Sequence, residues 1–502
     1  MGTPPIRSAQ PSDERERARR KVEELTRDLE RAGKRIAERD DRISQQQKQI
    51  AEQQKQIQKL ERELADARSN STNSSKPPSS DGLAGPQRER GRKTTTKCKR
   101  RAGGQPGHPG HYRKPVEAAR VSQAIEVLPA QCGECGNEFP PGVEAIGEPR
   151  RHQVIDLPPI EAWVTEYQCH ALACPGCGKT TRAAVPEEAR VPTGPRLTAL
   201  VAYLTVVCRM PRRVVQRFLE QALGTSISLG STQNCCEEVS EAVEGPCQEL
   251  QSKLATEPVL NIDETGWRLS GDKRWIWAFV AKSFTYYVVA SGRGADVLFA
   301  LLGAVFSGIL CSDRYAVYGS YHQGKSQLCW AHLKRNLQAV LDHAKDWRQE
   351  KFAREALALH ASLFRLWWKF QKGTIDRTQL IDRSKRLRNG FGKLAERWWD
   401  SDHRDVANLA KAIGEHFDRL FCFLDEPGVE PTNNSAERAL RTAVQWRKTS
   451  FGNRSESGAL ATARLLTVTQ TCRTQNRDAL QYFAEALQSH RRRLAAPSLC
   501  SK

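Results

Sequence analysis

Two aspartates stand at the ends of apolar runs that are typical of buried β-strands. Asp263 ends "PVLNID" at residues 258–263, and Asp313 follows "GILCS" at residues 308–312. A buried carboxylate is costly unless a cation or a hydrogen-bond donor compensates its charge. If the two strands are neighbours in one sheet, the carboxylates meet at one edge and form a site for a divalent cation, Mg²⁺ or Mn²⁺.

A third acid, Glu437, begins what reads as a new helix in "EPTNNSAERALR" at residues 430–441. An acid in a first helical turn can simply complement the helix dipole. Packed beside the two aspartates, it would instead complete a pocket for two metal ions, which lie about 3.5–4 Å apart in phosphoryl-transfer enzymes. We therefore predict that Asp263, Asp313 and Glu437 are the catalytic residues and the metal ligands.

Other acids near these positions are assigned different duties. Glu264 directly follows Asp263 and points to the opposite face of the strand, so we predict that it is solvated or supports the site indirectly. Turn or helix-cap duties account for Asp272, Asp296 and Glu430.

Two cysteine pairs, in "CGECG" and "CPGCG", have the spacing of zinc knuckles. The predicted ligands of a structural Zn²⁺ are the four knuckle cysteines, Cys132, Cys135, Cys174 and Cys177. Cys169 and His170 are rival ligands, and unmetallated or redox-active cysteines are the alternative. The gap between the knuckles is long, so the intervening segment, with the strand-like "EAWVTEYQC", must form strands that bring the pairs together.

A Cys-x2-His pair, Cys329 and His332, lies in "CWAHLKRN". Two ligands do not make a zinc site, so a packed junction between a strand and a helix is the favoured interpretation. Lys334 and Arg335 follow it and are predicted to contact DNA.

The charge of the chain favours a polyanionic partner. Lys and Arg number 78 against 58 Asp and Glu, a net charge of +20 that is spread along the sequence. Residues 88–101 alone carry eight basic residues against one acid, and such a segment neutralises phosphates with little sequence preference. A solubilising tail is the alternative for this segment.

Further cations follow Glu437 and would lie near the scissile phosphate, where arginine suits bidentate contact. Pairing with the acids in the absence of metal is their alternative role. The predicted DNA-binding residues are Arg92, Lys93, Arg100, Arg101, Lys334, Arg335, Arg438, Arg441, Arg447 and Lys448.

A heptad repeat of apolar residues begins at Val22 and continues through Leu29, Ile36 and Ile43 to Leu64. It predicts a parallel coiled coil over residues 18–68, and hence a homodimer or a higher oligomer. A solvated single helix is the alternative.

The remaining segments differ in composition. We predict a flexible basic linker at 69–120, a zinc-binding module at 121–185 and a helical segment at 190–250. In that segment a helix-turn-helix and plain helical packing are equally supported. An α/β catalytic domain follows at 255–475 with a helical insertion at about 335–425, and a C-terminal helix with a basic tail occupies 476–502.

Targeting and membrane signals are missing from the sequence. The first twenty residues lack the apolar core of a signal peptide, and the longest apolar run, residues 197–208, is too short to span a bilayer. We therefore expect a soluble, cytoplasmic and nucleoid-associated protein. In such a reducing compartment the fifteen cysteines are metal ligands or buried apolar residues rather than disulfides.

Several motifs occur in one order along the chain, namely the heptads, "NSSKPPSSDG", "GGQPGHPG", the two knuckles, "IDET", "SDRYAVY", "CWAHLKRN" and "NNSAERALR". Together they resemble the large transposase of the insertion-sequence family numbered sixty-six, one of the DDE transposases. The resemblance implies a ribonuclease H-like domain with a mixed five-stranded sheet flanked by helices, and it places the acidic triad on Asp263, Asp313 and Glu437. Gly266 and Trp267 depart from the proline-containing pair of many relatives.

The resemblance implies metal-dependent cleavage of the ends of a mobile element, strand transfer into target DNA, and accessory proteins encoded by the same element. Two alternatives remain at this stage. One is a non-catalytic, zinc-dependent regulator that binds DNA. The other is a ribonuclease H-like nuclease that cuts without joining.

Overall fold

The computed structural model describes residues 11–70, 73–74 and 115–500. The predicted DNA-binding residues Arg92, Lys93, Arg100 and Arg101 lie outside these residues, as does most of the predicted linker. The chain divides into two compact units. The sheet unit comprises residues 88–328 and 428–502, and the helical unit comprises residues 1–87 and 329–427.

The strands, in chain order, are β1 (Ala171–Ala173), β2 (Thr180–Arg182), β3 (Val259–Leu269), β4 (Asp272–Val280), β5 (Thr285–Ala290), β6 (Ile309–Ser312) and β7 (Ser326–Leu328). The α-helices, in chain order, are α1 (Pro11–Arg68), α2 (Pro195–Val206), α3 (Arg212–Leu223), α4 (Leu229–Ala242), α5 (Glu244–Lys253), α6 (Ala295–Leu302), α7 (Ala316–Tyr321), α8 (Trp330–Asp342), α9 (Trp347–Gln371), α10 (Arg377–Trp398), α11 (Arg404–Glu415), α12 (Phe417–Asp425), α13 (Asn434–Ser450), α14 (Glu456–Thr474) and α15 (Ala479–Arg491). None of the described helices combines the length and the apolar character that crossing a bilayer requires.

A mixed five-stranded sheet forms the centre of the sheet unit, with strands in the order β5-β4-β3-β6-β7. β4 pairs antiparallel with both β3 and β5, whereas β6 pairs parallel with both β3 and β7. Aromatic side chains of the strands fill the core, and Trp277, Phe279 and Tyr287 are almost completely buried. The predicted mixed sheet with flanking helices is confirmed.

Helices cover the sheet and one of its edges. α13 packs on β3 and β4, while α14 packs on β5. The hydroxyls of Thr467 and Thr471 on α14 accept hydrogen bonds from the N–H groups of Tyr287 and Thr285, at 3.0 and 3.2 Å. These threonines satisfy backbone donors of an edge strand that would otherwise be open to pairing. α2, α4 and α15 pack together beside α14 and extend the same core.

The helical unit is built around buried aromatic rings. Trp330 is completely buried, its ring packs on those of Phe391 and Phe421, and its indole N–H donates to the carbonyl of Leu420 at 2.6 Å. The same unit includes α1, a single helix of 58 residues. Its heptad side chains are exposed within one chain, with Leu29 at 72% and Ile36 at 60%.

Two sequence-based expectations about strands are wrong. β3 does not end at Asp263, because its antiparallel pairing with β4 continues as far as Leu269 opposite Asp272. Residues 161–169 are not a strand. The short strands β1 and β2 pair instead around the second knuckle, so β1, directly before Cys174, is the part of the separating segment that forms a strand.

Candidate functional site

The parallel pairing of β3 with β6 places the two predicted aspartates side by side. Asn261 lies opposite Cys311. Two residues further along each segment come Asp263, within β3, and Asp313, directly after β6. Residues two apart on a strand share a face, and neighbouring strands lie about 4.8 Å apart. The register therefore brings both carboxylates to one place on one face of the sheet.

The pKa of Asp263 is affected by its burial and by neighbouring acids, including Glu437. The half-buried carboxylate of Asp263 accepts a hydrogen bond from the N–H of Glu264 at 3.0 Å. Burial raises the pKa of Asp263 well above its usual value, and the negative charges of Glu264, Asp313 and Glu437 raise it further. Like charges act on a pKa in this way, so the charges of Asp313 and Glu437 both disfavour ionisation of Asp263.

Two asparagines that the sequence analysis missed hold the helix of Glu437 against β3. Asn433, which precedes α13 and is buried, donates from Nδ2 to the carbonyl of Ile262 at 2.8 Å. Its Oδ1 accepts from Nδ2 of Asn261 at 3.0 Å. The N–H of Glu437 in turn donates to the carbonyl of Asn433 at 3.2 Å. This asparagine clamp, Asn261 with Asn433, fixes the first turn of α13 next to Asp263.

Glu264 is buried, so of its two predicted roles the solvated one is wrong, while indirect support of the site agrees with its buried partners. Its side chain is 0% exposed, and it pairs with Nε of Arg293 through one oxygen and with the hydroxyl of Tyr318 through the other. Burial raises the pKa of Glu264, while the hydrogen bonds from Tyr318 and Arg293 oppose that effect. Glu264 therefore anchors β3 from the face opposite to Asp263.

Arg293 links this buried pair to the turn that carries Asp313. Its guanidinium carbon lies 3.9 Å from the centroid of the Tyr315 ring and 4.9 Å from that of Trp275. The N–H of Tyr315 donates to Oδ1 of Asp313 at 2.9 Å, and its hydroxyl donates to the carbonyl of Arg293 at 3.3 Å. The orientation of the Asp313 turn thus depends on Arg293 as well as on β6.

The donor set of the three predicted acids fits a hard divalent cation. Asp263, Asp313 and Glu437 offer carboxylate oxygens, the ligands that Mg²⁺ and Mn²⁺ prefer. Their mutual charge raises the pKa of Asp263, and a bound cation would remove that repulsion.

The predicted phosphate contacts on α13 have different surroundings. Arg438, Arg441 and Lys448 are exposed. Arg447 is half-buried and donates from Nη1 to the carbonyl of Gly266, so it braces β3 and is less available to DNA.

The predicted contacts at the start of α8 belong to the helical unit. Lys334 is exposed, whereas Arg335 lies with Nη2 3.0 Å from Nε2 of His332. Cys329 is the N-cap residue of α8 and is buried, in agreement with a packed junction.

Both predicted knuckles are tight turns. The N–H groups of Gly136 and Gly178 donate to the carbonyls of Cys132 and Cys174, at 2.9 and 2.8 Å. Hydrogen bonds from the backbone N–H groups of Cys135 and Glu134 lower the pKa of Cys132, and those of Gly176 and Cys177 lower the pKa of Cys174. Backbone donors that stabilise a thiolate favour metal binding.

The two knuckles do not form a compact cluster of sulfur atoms among the residues that the structure describes. Within the described part of the chain, no three of the four knuckle Sγ atoms lie within 4.8 Å of one another. Each knuckle therefore has the local geometry of a zinc ligand pair, while the complete four-cysteine set stays a prediction.

Helix α3, in the predicted helix-turn-helix segment, buries only two side chains, Val215 and Leu219. Arg212, Arg213 and Arg217 are exposed on it. This surface is open to a polyanion, although packing alone does not distinguish a recognition helix from an ordinary one.

Comparison with known protein families matches three segments of the chain to family models. Residues 190–461, more than half of the chain, match the model of the "Transposase IS66 family". Residues 129–178, which contain both knuckles, match the "zinc-finger binding domain of transposase IS66". Residues 3–114 match a family of unknown function, DUF6444.

Three curated relatives are uncharacterized proteins of Sinorhizobium fredii. Protein y4qI is 28% identical over 260 residues, which cover 43% of each chain, and y4hP is 27% identical over 224 residues, 40% of each. Protein y4jO is 23% identical over 172 residues, 34% of this chain and 50% of that relative. The chain thus spans half or less of the length of these relatives. The family match across the sheet, the triad positions and the knuckles shows that the chain belongs to the IS66 family of transposases.

Proposed function

We propose that the protein is a DNA transposase that cleaves the ends of a mobile element and joins them to target DNA. The observation that carries this proposal is the backbone placement of the three acids, because the β3–β6 register aligns Asp263 with Asp313 and the asparagine clamp holds the first turn of α13, with Glu437, beside β3. The strand order, three antiparallel strands followed by two parallel ones, supports a ribonuclease H-like catalytic domain.

In this proposal Asp263, Asp313 and Glu437 hold two Mg²⁺ or Mn²⁺ ions. In phosphoryl transfer such ions activate the attacking oxygen and stabilise charge on the leaving oxygen. The asparagine clamp positions Glu437 beside β3 before DNA binds, which limits reorganisation during the reaction. Arg438 and Arg441, exposed near Glu437 on α13, would bind phosphates next to the scissile bond. The freed 3′-hydroxyl then attacks a target phosphate in line, without a covalent enzyme intermediate.

Other parts of the chain would hold and pair the DNA ends. We assign a structural Zn²⁺ to the knuckle cysteines, DNA contacts to the basic segment at 88–101 and to α3, and dimerisation to the exposed heptads of α1. For this role we place the protein in the cytoplasm, associated with the nucleoid. Proteins encoded in the same element would assist it.

The test uses labelled element ends, a target plasmid, Mg²⁺ and the neighbouring proteins of the element. Joined product is expected from the wild-type protein and from Asp272→Asn, an exposed acid at a turn. Asp313→Asn should retain the shifted DNA band and lose both cleavage and joining. Nicks without joining would instead indicate a nuclease, and a band shift alone would indicate a regulator. Joined product from Asp313→Asn would refute the assignment of the triad.

A further inference from the structure

The residue that ends α13 combines an unfavourable backbone conformation with an exposed aromatic ring. Phe451 has φ 60° and ψ 14°, in the left-handed region, and is 83% exposed. That region favours glycine or asparagine, because a Cβ atom crowds the backbone there. Neither burial nor backbone preference therefore explains a phenylalanine at this position.

The turn that follows the ring is held firmly on β3. Gly452 has φ 103°, and a Cβ at this glycine would lie 2.3 Å from the carbonyl oxygen of Arg268. Asn453 donates its N–H to the same carbonyl at 2.9 Å, and its Oδ1 accepts from the indole N–H of Trp267 at 2.8 Å. These contacts fix the backbone that directs Phe451 outward. The protein therefore loses little conformational entropy when a flat ligand stacks on the ring.

Exposed cations occur on the segments next to Phe451. Lys448 lies one turn earlier on α13, Arg454 follows the turn, and Arg268 lies on β3, to which the turn is hydrogen-bonded. All three side chains are exposed. Arg438, Arg441 and Lys448 are spaced by three and seven residues, which places them on one face of α13. A polyanion bound along this face would reach the ring at the end of the helix.

We propose that Phe451 is a stacking site for an unpaired base in DNA that lies along α13. This inference rests on the proposed function, since the DNA is the strand whose scissile phosphate occupies the triad. Every nucleobase offers a flat apolar face, and the neighbouring cations neutralise the phosphates beside it.

The length of α13 indicates which base is contacted. Glu437 lies in the first turn and Phe451 is the C-cap residue, so about 21 Å separates them at roughly 1.5 Å per helical residue. At about 3.4 Å per nucleotide along a duplex, the stacked base lies roughly six nucleotides from the cleaved phosphate.

The decisive variant is Phe451→Gly, because it removes the ring and also relieves the backbone. It should raise the unfolding midpoint and weaken binding of a duplex that has the element's terminal sequence and one unpaired base at the sixth nucleotide, measured with Ca²⁺ in place of Mg²⁺. We expect roughly 5- to 150-fold weaker binding, which corresponds to about 1–3 kcal/mol for one stacked base. Phe451→Trp should bind like the wild type. Phe299→Ala, at another exposed aromatic, should change binding little.

The position of the base is read by placing an unpaired 2-aminopurine, which fluoresces strongly, at successive sites in that duplex. Wild-type protein and Phe451→Trp should quench its fluorescence near the sixth nucleotide, and Phe451→Gly should not. Equal affinity and an equal fluorescence profile for Phe451→Gly would overturn the stacking site and leave the proposed function standing. A lower unfolding midpoint for Phe451→Gly would also overturn it, by removing the argument from backbone conformation. If the wild-type full chain does not bind the duplex even with the neighbouring proteins of the element present, both proposals fall.

Discussion

Removing the cation from the buried Glu264–Arg293 pair is the sharpest test of how the sheet is held together. Arg293→Met keeps much of the side-chain volume and leaves the carboxylate of Glu264, 0% exposed, without its charged partner. Loss of one partner from a buried pair typically costs about 3–5 kcal/mol, because the remaining charge is desolvated and unpaired. Since Arg293 itself is 33% exposed, water can partly replace it, and we expect about 3 kcal/mol.

Two further variants separate charge from packing. Glu264→Gln retains an acceptor for Tyr318, so the double variant Glu264→Gln/Arg293→Met should recover most of the loss. Arg493→Met breaks a 2.7 Å pair with Glu187 whose partners are 83% and 57% exposed. It should cost less than about 1 kcal/mol, as surface pairs do.

Hydrogen exchange on the full chain localises the effect. About 3 kcal/mol corresponds to roughly 100-fold faster exchange of the β3 and α7 amides, at about 1.4 kcal/mol per tenfold. Denaturant unfolding should show the same order of variants. The reasoning is refuted if Arg293→Met destabilises the protein no more than Arg493→Met, or if the double variant is no more stable than Arg293→Met alone.

Three other outcomes are expected. Burial and the charge of Lys334 lower the pKa of His360 to about 4, so on acidification the unfolded chain takes up the proton before the folded chain does. Acidification from pH 6.5 to pH 4 should therefore destabilise the helical unit by up to about 3 kcal/mol. His360→Phe should flatten this pH dependence of thermal unfolding, and an unchanged profile would contradict it. Ile36→Glu with Ile43→Glu should convert a dimer into a monomer in sedimentation, and a variant that remains dimeric would argue against pairing through α1. Cys174→Ser should lower the zinc bound per chain in elemental analysis, and an unchanged metal content would remove this cysteine from the ligand set.

Local sequence patterns were sufficient to predict the strands and the helix that carry the three acids. The apolar runs before Asp263 and Asp313 predicted two strands, and "NNSAERALR" predicted a helix that begins near Glu437. The structure has strands and a helix at these places. What made these features predictable is that each depends on a few adjacent residues, whose hydrophobicity and helix-start signals act locally.

Features that depend on distant partners were missed. The sequence left open whether Glu264 is solvated or supports the site indirectly, because its cation, Arg293, lies 29 residues away on another segment. It assigned no role to Asn433, which donates to a carbonyl of Ile262, 171 residues earlier in the chain. Periodicity contains no information about such pairs, because tertiary contacts rather than neighbouring residues select them.

The unexpected length of β3 explains how Glu437 is mounted beside the aspartates. β6 pairs with β3 only as far as Asn261, so the edge of β3 beyond that residue needs other hydrogen-bond donors. The carbonyl of Ile262 accepts from Asn433, that of Gly266 from Arg447, and that of Arg268 from the N–H of Asn453.

These three carbonyls alternate along the strand, as backbone groups on one edge must. Their donors come from the residue before α13, from its last turn and from the turn after it. α13 is therefore fastened along the open edge of β3 at both ends. Glu437 meets Asp263 because the helix replaces the strand that β3 lacks, and the same attachment holds the turn of Phe451 at the far end. Weakening the Asn433 end should therefore disturb the triad, while weakening the Asn453 end should disturb the stacking site and leave the carboxylates in place.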